Sequence, residues 1–218
     1  MQVPPMLPLA PKNKWRYGLT ALACMPPAAL TFEKALALVD KGAVPVDKRN
    51  HNAKTLAEGW DITLWHRLAA GGPKAFASVA VWRYDRPDQH DFRWRDDVLV
   101  LGLHVGFDDT PFTDNAAREG WTRFLLELGD ILRPDFMALD LYDEFMDRKG
   151  KDLTREVFAL NVYGPVMVAT IGDARVRSAP AAKIEDRSWG AVVVRATNEI
   201  SVASAPQTRD QIVTAVWA

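Results

Sequence analysis

The clearest pattern along the chain lies between about Asp114 and Leu132. Trp121, Phe124, Leu125, Leu128, Ile131 and Leu132 recur there at the helical period, while Arg118, Glu119, Arg123 and Glu127 fall on the other side. An apolar stripe of that width predicts an amphipathic helix packed on a core, and Pro134 stops it. A second helical spacing, Phe32, Ala35, Leu36 and Val39, follows the N-cap residue Thr31 and runs to Gly42. A third helix opens at Gly164-Pro165, where proline suits the first helical position, and closes at Gly172. At the end of the chain Ser204 and Gln207 have capping-box spacing, with Ile212, Val213, Val216 and Trp217 as the apolar face behind them.

Between the helices the period falls to two. Strands are expected over Trp15–Cys24, Trp60–His66, Ala75–Tyr84, Val98–Gly106, Met137–Tyr142, Val157–Tyr163 and Trp189–Ala196. The Val98–Gly106 run is apolar on both sides and so belongs inside the sheet, whereas Phe76, Ala80, Trp82 and Tyr84 load one side of their strand. Polar residues without a period mark Ala43–Gly59, Arg86–Asp97 and Asp147–Asp152 as loops. Strands and helices in this order predict an α+β fold: one domain over residues 15–218 with a mixed, mainly antiparallel sheet and helices packed against it. Residues 1–14, with prolines at 4, 5, 8 and 11, form a proline-rich N-terminal arm.

Composition narrows the function classes. Hydrophobic residues make up 48% of the chain and charged residues 25%, enough apolar side chain for a buried core. With 27 basic and 28 acidic residues there is no net field to gather nucleic acid or an anionic membrane, so neither is expected as a partner. The single Cys24 sits among Ala and Leu as a small buried hydrophobe, and no leader or membrane-spanning run is evident; a cytoplasmic location is expected.

Motifs that carry chemistry are few along the chain. The 13 glycines are scattered and match no phosphate-binding loop, and a nucleophile elbow, paired zinc cysteines and a His-Glu-x-x-His helix are all missing. No catalytic residue, cofactor or metal site is assigned, and the chain is read as a non-enzyme. His51 and His90 lie in polar loops, where histidines are more often solvated than ligating, and His66 and His104 read as strand histidines. They leave one alternative, a small metal-dependent hydrolase that would pair loop histidines with the acidic cluster Asp140, Asp143, Glu144 and Asp147. The plainer reading of that cluster is a solvated acidic surface, or one that meets basic residues of a partner. Eight tryptophans are many for this length. Trp82 and Trp94 stand near Arg86 and Arg95, the residue types that dominate binding hot spots, although core packing accounts equally well for Trp82 and less well for Trp94.

From Phe158 to Thr197 the chain reads FALNVYGPVMVATIGDARVRSAPAAKIEDRSWGAVVVRAT. An aromatic strand, Tyr-Gly-Pro, a short apolar helix ending on Ile-Gly, an Ala-Pro step, an acidic residue and an aliphatic strand follow in that order. This stretch resembles the C-terminal half of bacterial polymorphic-toxin and type VI secretion immunity proteins, the group called immunity protein 52. Tyr163, Gly164, Pro165, Gly172, Pro180 and Trp189 carry the likeness, and each is a turn, helix-end or packing residue rather than a chemical one. The resemblance implies a cytosolic antidote that binds a cognate protein toxin, typically a predicted nuclease, and occludes its active site. Under that reading Trp82, Arg86, Trp94, Arg95, Asp140, Asp143, Glu144 and Asp147 are the expected partner-binding residues.

Overall fold

The computed structural model describes residues 19–25, 48–51, 59–67, 74–84, 98–107, 115–148, 151–199 and 201–218. Nine strands among them build a single sheet: β1 (Leu19–Met25), β2 (Lys48–His51), β3 (Gly59–Arg67), β4 (Lys74–Tyr84), β5 (Val98–Phe107), β6 (Phe136–Leu141), β7 (Leu160–Tyr163), β8 (Lys183–Asp186) and β9 (Val192–Arg195). Their spatial order is β2-β3-β4-β5-β1-β6-β7-β9-β8, and every pairing is antiparallel. The expected α+β class holds. β5 is interior, as its two apolar sides require, and β1 occupies the middle of the sheet between β5 and β6.

The alternation of side chains shows how both faces are covered in the half containing β1, β6, β7 and β9. On one face Leu22, Cys24, Phe136, Ala138, Tyr163, Val192 and Val194 join a buried cluster with residues of four short helices: α2 (Tyr142–Asp147), α3 (Pro165–Ile171), α4 (Asp173–Arg177) and α5 (Pro206–Trp217). Phe145 from α2 stacks on Phe158 with ring centroids 4.3 Å apart, and Trp217 from α5 meets Tyr163 edge-on at 6.5 Å. Such ring pairs add about 0.5–1.5 kcal/mol each beyond the area they bury. On the opposite face Ala21, Ala23, Met137, Leu139, Val162 and Val193 are also buried. The long helix α1 (Asn115–Leu132) crosses there, with Leu125, Leu128 and Leu132 buried and Gly129 so near Met137 that a Cβ would stand 3.0 Å from Cε.

Several expectations on local structure need correction. Residues 48–51, expected as loop, form β2 against β3, so a polar composition does not prevent edge pairing. The acidic stretch after β6 is helical in α2, where Asp143 and Glu144 occupy the first turn and favour its positive end. Ser204 and Gln207 make no capping box. Ser204 belongs to a 3₁₀ turn, Val202–Ser204, that is capped by Ser201, and α5 starts at Pro206 without a side-chain cap. The strand expected from Trp189 begins only at Val192, because residues 187–190 form a tight turn. The expected helix at Thr31–Gly42 and the proline-rich arm lie outside the described residues.

Candidate functional site

The register of the sheet assigns the expected partner-binding residues to its two ends. At one end Gly59, Trp82, Val100, Cys24, Phe136, Tyr163, Val192 and Asp186 lie in successive pairings across the sheet. Trp82 is therefore in the end row of β4, and Arg86, Trp94 and Arg95 lie outside the described residues. Asp140 pairs with Thr20 near the other end of β6, and Asp143, Glu144 and Asp147 follow it in α2. The aromatic segment and the acidic segment thus leave opposite ends of the sheet.

The four acidic residues also differ from one another. Asp147 is exposed, while Asp143 and Glu144 are half-buried. Glu144 accepts from Arg148 Nη1 at 2.8 Å, and Arg148, buried over the Phe158 ring, also reaches Glu156 at 3.3 Å. Asp140 is fully buried and so offers a partner no surface. Its Oδ1 accepts from Leu141 N at 2.7 Å and its Oδ2 from Ala159 N and Val202 N at 2.7 and 3.2 Å, while the Ser201 hydroxyl also bonds it. One carboxyl thereby ties β6 to the approach of β7 and to the lead-in of α5.

Burial pushes the Asp140 carboxyl up to about 7, against the opposing pull of Ser201 and the three amides. The folded state therefore holds this proton over a pH range in which the unfolded chain, with an ordinary value of 3.8, has lost it. The resulting contribution to stability is complete below pH 3.8 and is lost as pH rises to about 7. Urea titrations should show the wild-type midpoint falling across that window relative to Asp140→Asn. Parallel profiles would remove Asp140 as the titrating group.

A cluster that the sequence does not advertise lies at the other end, where three connections converge. Residues 133–135 lead from α1 into β6, Gly164 joins β7 to α3, and residues 187–190 turn from β8 into β9. Gly164 N donates to Asp135 O at 2.8 Å, and the backbone there is so close that a Cβ on Gly164 would stand 2.3 Å from Pro134 O. Gly190, at φ 90°, completes the 187–190 turn, and a Cβ on it would touch Pro165 at 3.4 Å. Glycine is required at the first position for room and suits the second for its dihedral.

Asp130, on the last turn of α1, binds this turn. Its Oδ1 accepts from Arg187 Nε at 2.8 Å and Trp189 Nε1 at 3.0 Å, and its Oδ2 accepts from Arg187 Nη2. The Arg187 hydrogen bond holds the Asp130 carboxyl below the usual carboxylate range and Asp130 in turn raises Arg187. Ile131 in α1 and Val166 in α3, 51% and 48% exposed, are the two exposed large hydrophobic residues among the described ones. Ile131 was expected in the buried stripe of α1. It lies instead at the margin of that stripe, next to the exposed Glu127 and Arg133. An Arg-x-Trp-Gly turn ahead of an aliphatic strand was the available signal, yet nothing in the sequence links it to Asp130, 57 and 59 residues away.

Among the described residues no group of three or more His, Cys, Asp or Glu side chains could hold a metal ion. Of the histidines, His51 ends β2, His66 and His104 lie in β3 and β5, and His90 is outside the described residues. No described helix is long and apolar enough to cross a membrane. What the fold and the cluster define is an α+β scaffold with a preorganised Asp-Arg-Trp surface at one end of its sheet.

In fold the chain is similar to the solved structure of the Pseudomonas aeruginosa T6SS protein PA0821. The match covers 91% of this chain and 72% of that one, with a TM-score of 0.50 and 11% sequence identity. At that identity the likeness is one of fold. No protein-family model matches the chain, and no curated protein matches it in sequence.

Proposed function

We propose that this chain is an immunity protein of a type VI secretion system, which binds a cognate secreted toxin, a nuclease under the family resemblance, and occludes its active site from the cytoplasm. The observation that carries the reading is the fold likeness to a T6SS protein over nearly the whole chain. It agrees with the independent resemblance of Phe158–Thr197 to secretion-system immunity proteins. The turn bearing Arg187 and Trp189 lies inside that stretch, and its aromatic and Arg pair is the kind that anchors protein interfaces.

Occlusion needs tight binding by a rigid surface rather than a reacting group. A side chain already fixed by its neighbours loses little freedom when a partner arrives, at a saving of about 0.5–1.5 kcal/mol for each immobilised residue. A large secreted protein is expected to be encoded beside this gene; co-expression with it should restore growth of a susceptible bacterium, and the two purified proteins should form a stoichiometric complex. A chain that neither rescues growth nor binds that protein would refute the reading.

A further inference from the structure

Among the described residues β8 pairs with β9 and with no other strand, so one side of it is an open sheet edge. Which backbone groups it leaves over follows from the turn beside it. Arg187 N donates to Ala191 O, so the hydrogen-bonded positions recur two residues apart, at Glu185 opposite Val193 and at Lys183 opposite Arg195. The N–H and C=O groups of Ile184 and Asp186 therefore point away from β9, along the edge. Side chains alternate as well. Lys183 and Glu185 share one face, with Lys183 Nζ 2.9 Å from Glu185 Oε1, and Ile184 and Asp186 share the other. Ile184 is half-buried against the core cluster, and the Asp186 carboxylate is held by Arg177.

A two-fold axis perpendicular to the sheet can pair such an edge with itself. Facing residues of an antiparallel pair lie on the same face, so the axis has to pass through a residue and not between two. Three of the four residues of β8 are charged, and an axis through Lys183, Glu185 or Asp186 would set that charge against its own copy. Ile184 is the exception. An axis there makes Ile184 a hydrogen-bonded pair with Ile184 of a second copy, each donating its outward N–H to the other's carbonyl. Lys183 then faces Glu185 of the second copy, and Glu185 faces its Lys183, at the non-hydrogen-bonded positions where side chains come closest. Charges that deter a foreign strand are thus matched in one register.

We propose that β8 is a self-association edge, at which two copies of this chain pair antiparallel about Ile184 and join their sheets into one. A second copy fits because Lys-Ile-Glu, run antiparallel to itself, is its own charge complement. With one short strand from each side the interface is small, and the dimer is weak and reversible. This self-association does not rest on the immunity reading.

Sedimentation equilibrium of the purified chain tests it, with the thermal unfolding of each variant checked first. The wild type should pass from monomer to dimer below roughly 300 μM, the range open to a small interface. Glu185→Lys sets Lys against Lys and Lys183→Glu sets Glu against Glu, so each variant alone should dimerise about 10- to 100-fold more weakly. An equimolar mixture of the two should recover dimers to within about fivefold of the wild type, because every facing pair is then of opposite sign. Loss of structure cannot produce that recovery. Ile184→Cys leaves all the charges in place and should cross-link to itself under mild oxidation, since facing Cα atoms at a hydrogen-bonded pair are about 5.5 Å apart. Asp186→Cys, which faces residue 182 of the second copy, should not.

A wild type that stays monomeric throughout this range would overturn the proposal. So would a dimer that neither charge variant weakens, a mixture of two folded variants that stays monomeric, or cross-linking as ready through Asp186→Cys as through Ile184→Cys.

Discussion

Replacing Asp140 with alanine is expected to lower the folding free energy by about 3–5 kcal/mol, because it removes the acceptor of three backbone donors at once. Ala159 and Val202 would each be left with a buried, unpaired N–H, at about 1–3 kcal/mol for each, and the half-buried Leu141 N–H would add less. Water entering the gap would offset part of that sum. The remainder is still a large share of the roughly 5–15 kcal/mol that holds a domain of ordinary stability. Asp140→Asn would recover little, since Oδ1 and Oδ2 both accept from amides and either orientation of an Asn side chain turns its NH₂ against one of them. Equilibrium urea denaturation measures the loss. A drop below about 1 kcal/mol would mean that water or repacking satisfies these amides, and that Asp140 is not the tie between β6 and α5.

Gly164→Ala is the second large effect expected, at about 3 kcal/mol, the upper part of the range for forcing an extra methyl into a packed site. The added Cβ would meet Pro134 O at 2.3 Å and Asp135 Cα and O at 3.0 Å. These are backbone atoms of the link from α1 to β6, so no side chain can rotate away. Relief has to come from separating Gly164 from Asp135, which lengthens the 2.8 Å hydrogen bond between them and shifts Pro165 beneath the Trp189-Gly190 turn. Thermal unfolding should show the loss. A variant as stable as the wild type would show that this end of the sheet is looser than the contacts imply.

Much of the scaffold was legible because its periods are strong. The stripe of α1, the doubly apolar β5 and the Gly-Pro entry to α3 each carry a local signal that the fold obeys. What escaped was decided by partners distant in sequence. Lys48–His51 is a strand only because β3 lies beside it, and Lys183–Asp186, charged at three of four positions, is the edge strand of β9. Its charges blunt that edge against pairing with other strands. Asp140 shared its sequence signature with Asp143, Glu144 and Asp147, yet strand alternation turns it inward to the amides of Ala159, just before β7, and of Val202 in the α5 lead-in, while its neighbours enter a helix. The Asp130 cluster was hidden for the same reason, since its members lie on α1 and the β8–β9 turn and meet only once the sheet has formed.

In the proposed function, the end of the sheet that carries Trp189 is the surface that would meet a toxin. Hydrogen–deuterium exchange of the chain, free and in complex, measures this most directly. Slowed exchange is expected in residues 187–191, around Gly164–Met167 and at the C-terminal turn of α1, with α2 unchanged. Protection confined to residues 142–148, at the other end of the sheet, would contradict it.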